Sequence, residues 1–311
     1  MNTAMMLDGK KIQVGLDRTV IGLKYPSFPK TDGTPLPKDQ IELIHEMQKE
    51  FKAKMYHIKS TVTSGPHHCK GKKKDLKRYY VQSETDGTHL CTFALGYSYG
   101  TTVINFEFNP SKLSPEQFGE IGALMMVLFN DHYQEVYGRG VVAHAEFFID
   151  VPEAVLSDLV LVDLGRRTTT PFKGTTYSGK QSSRLVGTMY DKGKESKTAG
   201  KLVRIELRIN RRDIPFKDLV EQDQFNPFSS FLVVEASQLQ LVAQEWKSPH
   251  LANNIKEHGL YGGVATSYAR KKIGAYLKEH TVPWWQPDVL WAGHRELLLK
   301  LKPGPTGVFA Y

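Results

Sequence analysis

The strongest constraint on the fold is a period-two alternation of apolar and polar side chains, which recurs from about residue 12 to residue 212. Residues 103–109 and 202–210 are the clearest cases. Alternating side chains project to opposite sides of a strand, so these segments are typical of strands with one buried and one solvated face. Antiparallel sheets tolerate such faces. The polar face of residues 202–210 carries Arg204, Glu206, Arg208 and Asn210.

Helical segments interrupt these strands without a regular strand–helix alternation. One helix is predicted over residues 39–55. A second is expected to run to about residue 133, because Ser114 can cap it and Gln117 can close a capping box. The pattern predicts an α+β fold with a mainly antiparallel sheet, one polar face, helices on the other face, and a mostly helical C-terminal region. The C-terminal helices are predicted over residues 236–246, 263–280 and 287–301.

The charge balance favours polyanionic partners. The chain of 311 residues has 41 Lys and Arg against 33 Asp and Glu, which gives a formal net charge of +8. Such an excess is typical of nucleic-acid-binding proteins, although a basic surface without a specific partner has the same composition.

The cellular compartment is predicted from cysteine content and from apolar runs. Only Cys69 and Cys91 occur, too few for a disulfide framework, as in a reducing compartment. The most apolar run, residues 121–129, is far shorter than the roughly 20 residues of a spanning helix. The first 11 residues carry Asp8 and no long apolar stretch, unlike a secretory signal. We therefore expect a cytoplasmic protein.

A predicted strand over residues 145–151 carries acidic side chains on one face. Glu146 and Asp150 share this face with His144, but four residues of strand separate the two carboxylates by about 13 Å, too far to bind one ion together. Either could instead pair with Glu206 from the neighbouring polar face. Mg²⁺ typically binds one or two carboxylates, together with water and substrate phosphate. Acidic residues in an alternating strand can also be merely solvated, so both interpretations stay open.

A turn rich in glycine, hydroxyls and cations precedes another polar strand. Lys180 and Arg184 of this turn suit a phosphate, and Tyr190 follows on the same face, where we expect it to lie near these cations. A phenol can attack a phosphodiester and form a phosphotyrosine ester. Its ordinary pKa near 10 requires a metal, a base or nearby cations. Lys192 and Arg204 could offset charge on the phosphate. The alternative interpretation is that Tyr190 is an aromatic residue on the surface of a strand, without a catalytic role.

These segments resemble the replication initiation factors of filamentous phages and rolling-circle plasmids. With φ for an apolar residue, that family has a strand φ-φ-x-x-Tyr-Asp/Asn-Lys followed by φ-Arg-φ-Glu-φ-Arg, which Tyr190-Asp191-Lys192 and residues 203–208 match. Residues 106–113 resemble a strand and Pro-x-Lys turn of the phage initiators. Residues 143–150 resemble the family's Arg-φ-Asp-φ strand, although this chain has His144 and Glu146 at its Arg and Asp positions. The resemblance spans roughly residues 95–212.

The resemblance implies that Tyr190 nicks one DNA strand at a replication origin, forms a covalent 5′-phosphotyrosine, leaves a free 3′-hydroxyl and later rejoins the strand. It also implies Mg²⁺ or Mn²⁺ bound by Glu206 with Glu146 or Asp150. Residues 1–212 would be the nicking domain, and residues 213–311 a helical region that could bind DNA. Alternatives are a conjugative relaxase with the same chemistry and an origin-binding protein that does not cleave.

The expected partner is DNA, as an origin hairpin or a single strand, in the cytoplasm of a bacterial host, with a host helicase as a further candidate and no membrane. The segment of residues 70–78 packs six cations into nine positions and precedes Tyr79 and Tyr80, so phosphate contacts with base stacking are expected. The basic helix of residues 268–278 could dock on duplex DNA or be solvated. The predicted DNA contacts are Lys180, Arg184, Lys112, Lys72, Lys73, Lys74 and Arg208.

Overall fold

The computed structural model describes residues 2–23, 42, 45, 49, 74–83, 86–98, 101–129, 137–138, 140–165, 167–180, 183–198, 200–210, 214–222 and 225–302. The strands are β1 (Asn2–Leu7), β2 (Lys10–Leu23), β3 (Lys74–Gln82), β4 (His89–Ser98), β5 (Thr101–Phe108), β6 (Gly140–Pro152), β7 (Leu159–Asp163), β8 (Thr169–Phe172), β9 (Thr175–Ser178), β10 (Leu185–Asp191), β11 (Leu202–Ile209) and β12 (Phe231–Glu235). The helices are α1 (Pro115–Phe129), α2 (Lys192–Ser196), α3 (Phe216–Glu221), α4 (Ala236–Glu245), α5 (Leu251–Gly263), α6 (Ser267–Glu279) and α7 (Pro287–Leu299).

One large antiparallel sheet dominates the fold. Its strand order is β3-β4-β5-β2-β6-β11-β10-β9-β8, and β1 pairs with β2 beside this path. The long strand β2 pairs with both β5 and β6, and its register to β6 shifts between Leu16 and Thr19. The prediction of an α+β fold with a mainly antiparallel sheet is confirmed.

The central strand β11 shows why the two faces of this sheet differ. Its odd-numbered residues from Val203 to Ile209 are buried in the main hydrophobic core. Its even-numbered residues are the polar series that the alternation predicts. Because β11 lies between β6 and β10, these polar side chains reach the middle of the open face.

A small second sheet of β7 and β12 forms a layer behind the large sheet. Leu161 and Phe231 belong to the main core, whereas Val160 and Leu232 belong to a second core with residues of α4, α5 and α6. The two sheets approach closely at Gly187 of β10, where an added Cβ would lie 2.6 Å from the Phe231 ring. Strand β12 of this layer lies in the C-terminal region and was not predicted there; the region is otherwise mostly helical.

Helix α7 joins the C-terminal region to the large sheet. It packs on β2, and its Leu290 and Trp291 belong to the same core as the residues of β11. The hydrophobic core is therefore continuous across residue 213. The division into a domain of residues 1–212 and a region of residues 213–311 stays a prediction.

Most of the other helices in the structure were predicted from the sequence. The capping box is present, because Ser114 Oγ accepts from the Gln117 backbone N–H and Gln117 Oε1 accepts from the Ser114 backbone N–H. Helix α5 was not predicted. The helix expected over residues 39–55 lies outside the described residues apart from 42, 45 and 49, which are helical. Within the described part of the chain, no helix is long and apolar enough to cross a membrane.

Candidate active site

Polar side chains from β6, β11 and β10 form the candidate site on the open face of the large sheet. The strand register sets Tyr190 opposite Arg204 and Arg204 opposite Asp150. One pleat further along, Glu206 lies between Thr188 and Phe148. Directly opposite residues share a face of the sheet. The predicted catalytic residues Tyr190 and Arg204 and the three predicted carboxylates therefore lie on one surface.

Tyr190 is hydrogen-bonded to Glu206. The phenolic Oη donates to Glu206 Oε1 over 2.6 Å, and only 6% of Glu206 is exposed. Burial, and then the hydrogen bond to Glu206, raise the pKa of Tyr190 well above its ordinary value near 10. The phenol is therefore protonated at neutral pH, and Glu206 is placed to accept its proton.

Arg204 is held by contacts on two sides. Its guanidinium donates two hydrogen bonds of 2.6 Å to Asp150, one to each carboxylate oxygen. It also lies 3.9 Å from the ring centroid of Phe148 and 3.7 Å from the carboxylate of Asp17. These contacts fix the arginine beside Tyr190, because a bidentate pair restricts its orientation.

Arg208 joins the other two predicted carboxylates. Its guanidinium lies 3.0 Å from Glu146 and donates a hydrogen bond of 3.1 Å to Glu206. His144 Nε2 is 2.9 Å from Glu146, and its Nδ1 is 2.6 Å from Asn210 Oδ1. Burial opposes ionisation of Glu146, but the contacts with His144 and Arg208 outweigh it and lower the pKa of this carboxyl.

A cleft of about 540 Å³ opens over Tyr190 and Glu206. Thr188, between Glu206 and Tyr177, is buried on its floor, and its hydroxyl has no hydrogen-bond partner. A buried hydroxyl of this kind is usually satisfied by water or a ligand. The lining residues are Glu146, Leu156, Lys173, Gly174, Thr175, Tyr177, Thr188, Tyr190, Asp191, Lys194, Glu195, Glu206 and Arg208.

The predicted metal ligands differ in how well they fit a cation. Both oxygens of Asp150 are bound by Arg204, and Asp150 does not line the cleft. Glu146 and Glu206 both line it. In the described part of the chain, no group of three Asp, Glu, His or Cys residues could hold a metal. Two carboxylates with water and a substrate phosphate suffice for Mg²⁺. Glu206 binds Tyr190 and Arg208 with its two oxygens, and Arg208 also contacts Glu146, so a cation bound by Glu146 and Glu206 would have to displace Arg208.

Two of the predicted phosphate-binding cations are remote from the tyrosine. Arg184 precedes β10 and Tyr190 lies near its end, so six residues, or about 20 Å of strand, separate them. Lys180 lies in the turn before Arg184. The expectation that these cations lie near Tyr190 is therefore wrong, because the strand between them is extended.

The remaining predicted cations are placed as follows. Lys192 begins helix α2 instead of continuing the strand; its Nζ lies 2.5 Å from Glu195 and 5.9 Å from the ring centroid of Tyr190. Lys112 is exposed at the end of a short 3₁₀ turn. Its neighbour Ser111 donates to Asp17, close to Arg204. Lys72 and Lys73 lie outside the described residues, and Lys74 begins β3.

Two cations of the cleft were not predicted. Lys173 lies in the two-residue turn between β8 and β9, and Lys194 lies on α2. The Lys173-Gly174 dipeptide between two short apolar and hydroxyl-rich runs is a hairpin signal that could have indicated the first of them. The sequence signal for Lys194 is Asp191, a preferred N-cap residue, which caps α2 by accepting a hydrogen bond from the Lys194 backbone N–H.

Comparison with known proteins gives a distant structural similarity but no match in sequence. No protein-family model matches the chain, and no curated protein matches its sequence. Among solved structures, the chain is similar to a rolling circle replication initiator protein from Geobacillus stearothermophilus, with a TM-score of 0.35 and 11% sequence identity. The superposition covers 86% of this chain and 97% of the other.

Proposed function

We propose that this protein nicks one strand of DNA at a replication origin, with Tyr190 as the nucleophile, and later rejoins that strand. The hydrogen bond from Tyr190 to Glu206 at the base of an open cleft carries the proposal. The resemblance of the tyrosine strand and of residues 203–208 to rolling-circle initiation factors supports it. The basic composition supports DNA as the partner.

The proposed chemistry is a transesterification. Tyr190 Oη attacks the phosphorus atom of a phosphodiester while its proton passes to Glu206 Oε1. The bond from phosphorus to the 3′-oxygen breaks, and the leaving oxygen takes a proton to give a free 3′-hydroxyl. The 5′-phosphate stays esterified to the tyrosine. Attack of a 3′-hydroxyl on this ester reverses the sequence, releases the phenol and rejoins the strand.

The raised pKa of Tyr190 requires a base and neighbouring positive charge. Glu206 supplies the base, and Arg204 lies opposite the tyrosine in the adjacent strand. Lys192 lies against the phenol ring. These cations would stabilise the phenolate and the negative charge that develops on the phosphate oxygens.

The charge of the cleft supports a role for a divalent cation. Its lining contains the carboxylates of Glu146, Asp191, Glu195 and Glu206 but only the cations of Lys173, Lys194 and Arg208. The lining thus has one carboxylate more than it has cations, and a divalent cation would supply further positive charge for a phosphodiester. Glu146 and Glu206 would hold Mg²⁺ or Mn²⁺. A bound ion would neutralise charge on the phosphate oxygens.

The test compares two tyrosines of the same cleft. Wild-type protein incubated with supercoiled origin DNA and Mg²⁺ is expected to give nicked circles and an SDS-stable DNA–protein adduct. Tyr190→Phe should bind DNA with unchanged affinity but form no adduct, because only the phenolic oxygen is removed. Tyr177→Phe is the matched control and should keep both activities.

Each result of this test has a defined meaning. Adduct formation by Tyr190→Phe together with its loss in Tyr177→Phe would transfer the nucleophile to Tyr177. DNA binding without nicking by the wild-type protein, over a range of Mg²⁺ and Mn²⁺ concentrations, would instead identify an origin-binding protein that does not cleave.

A further inference from the structure

A hairpin with a tight turn forms one rim of the cleft. Strands β8 and β9 are joined by Lys173 and Gly174, whose φ angles are +47° and +77°. Two successive positive φ values are the mark of a tight two-residue hairpin turn whose twist matches that of the flanking strands. The residues on either side of the turn, Phe172 and Thr175, therefore form its last cross-strand pair.

The strand register places Phe172 on the same face as Tyr190. Thr175 faces the cleft and is directly opposite Phe172. The last pair of β9 with β10 is Thr176 with Met189, and continuing this register by one pair sets Thr175 opposite Tyr190. Phe172 and Tyr190 are thus two strand spacings apart on one face, or about 10 Å.

Phe172 is unusual for an aromatic residue because it is 59% exposed. Lys173 Nζ lies 5.3 Å from its ring centroid, so a cation accompanies the open ring. In the described part of the chain, the other large apolar side chains with comparable exposure lie on β1 and on helices α4, α6 and α7. They are Met6, Leu241, Tyr268, Val289 and Leu299. Phe172 differs from them in position, because its neighbour Lys173 and its cross-strand partner Thr175 both line the cleft.

We propose that Phe172 is a stacking platform for an unpaired base of single-stranded DNA next to the phosphodiester at Tyr190. An exposed ring stacks on any base, and a nearby cation contacts the backbone; this is how proteins bind single strands without reading sequence. The hairpin tip supplies both groups through Phe172 and Lys173. A base in a duplex is already stacked on its neighbours, so the platform selects unpaired DNA. This inference rests on the proposed nicking function in one respect: the stacked base belongs to the strand that Tyr190 cleaves.

The test measures binding separately from cleavage. Affinity is measured by fluorescence anisotropy for an oligothymidine of about 12 nucleotides and for a duplex of the same length. Phe172→Ala should weaken single-strand binding by about 10-fold and leave duplex binding unchanged. Phe172→Trp should restore single-strand binding. Leu241→Ala, an exposed apolar residue on α4, is the matched control and should change neither affinity.

A 2-aminopurine base in the same oligonucleotide reports stacking directly, because its fluorescence is quenched when it stacks on an aromatic ring. Quenching by the wild-type protein that is lost in Phe172→Ala would support the platform. Unchanged single-strand affinity in Phe172→Ala, an equal loss for single strand and duplex, or no single-strand binding by the wild-type protein would overturn it. A platform found in a protein that forms no covalent adduct would stand while the nicking function fails.

Discussion

At the scale of residues, the buried carboxylates of the candidate site are held in place by partners on both of their oxygens. Asp150 binds Arg204 with both oxygens, and Glu206 binds Tyr190 with one and Arg208 with the other. Buried carboxylates are stable only when they are paired in this way. Glu206 is the carboxylate of this set that contacts the phenolic oxygen. Glu206 is therefore a candidate for two roles, as the base for Tyr190 and as a metal ligand.

A substitution at Glu206 distinguishes these roles. Glu206→Gln can still accept the hydrogen bond from Tyr190 but cannot take its proton, so we expect the nicking rate to fall by about 10² to 10⁴ with little change in DNA affinity. Glu195→Gln, another carboxylate of the cleft, should keep most of the activity. The measurement is the single-turnover nicking rate against Mg²⁺ concentration. Recovery at high Mg²⁺ would indicate a metal ligand, and a rate that stays low would indicate a base.

The residues of this site could be predicted from sequence, but their pairing could not. Period-two alternation put Tyr190, Arg204 and Glu206 on polar faces, and the structure brings all three together. Their partners depend on the register between strands, and a slip of one residue would reverse every side chain. Arg184 was misplaced for a related reason: residues close in sequence are far apart when the chain between them is extended.

At the scale of elements, strand β2 supports the site from the adjacent position in the sheet. Gly15 lies directly opposite Phe148 of β6, and the Phe148 ring supports the guanidinium of Arg204. A Cβ added at Gly15 would overlap this ring. The glycine is thus required by the close approach of an aromatic side chain, which local sequence does not reveal.

The substitution Gly15→Ala tests this support. We expect it to lower the free energy of unfolding by about 1–3 kcal/mol, since the ring has to shift within a packed sheet, and to slow nicking because Arg204 moves with it. Gly22→Ala in the same strand is the control, as its Cβ would come no closer than 3.4 Å to another atom. Urea denaturation of both variants checks the difference. Equal stability of the two would show that Phe148 can move freely.

At the scale of the whole molecule, the C-terminal region contributes to the core beneath the polar face of the large sheet. Its helices were largely predicted from periodicity, whereas β12 was not. Five consecutive residues with four of them apolar cannot be assigned to strand or helix by period alone, and only pairing with β7 identifies β12 as a strand. Helix α7 makes the closest link, because His294 lies between the helix and strand β6.

His294 makes the stability of the whole fold depend on pH. The ring is fully buried; its Nδ1 is 2.7 Å from the carbonyl oxygen of Leu290, and its Nε2 is 3.1 Å from that of Phe148. Burial lowers the pKa of His294 to about 4, against an ordinary value near 6.5. Between these values the unfolded chain binds a proton that the folded protein does not, so the free energy of unfolding falls as the pH drops from about 6.5 to about 4.

The expected size of this loss is roughly 3 kcal/mol over the full interval, in addition to the contribution of the carboxylates. The measurement is the urea midpoint of wild type, His294→Gln and His258→Gln at about pH 7 and about pH 4.5. His294→Gln should be less stable at pH 7, because the amide packs less well among the rings of Phe147 and Phe228, but should lose less stability on acidification. His258→Gln, at an exposed position, should follow the wild type. Parallel pH profiles for wild type and His294→Gln would mean that the pKa of the buried ring equals its value in the unfolded chain. A smaller loss on acidification in wild type than in His294→Gln would mean that the buried ring is already protonated in the native protein, with both nitrogens donating to the carbonyl oxygens they face.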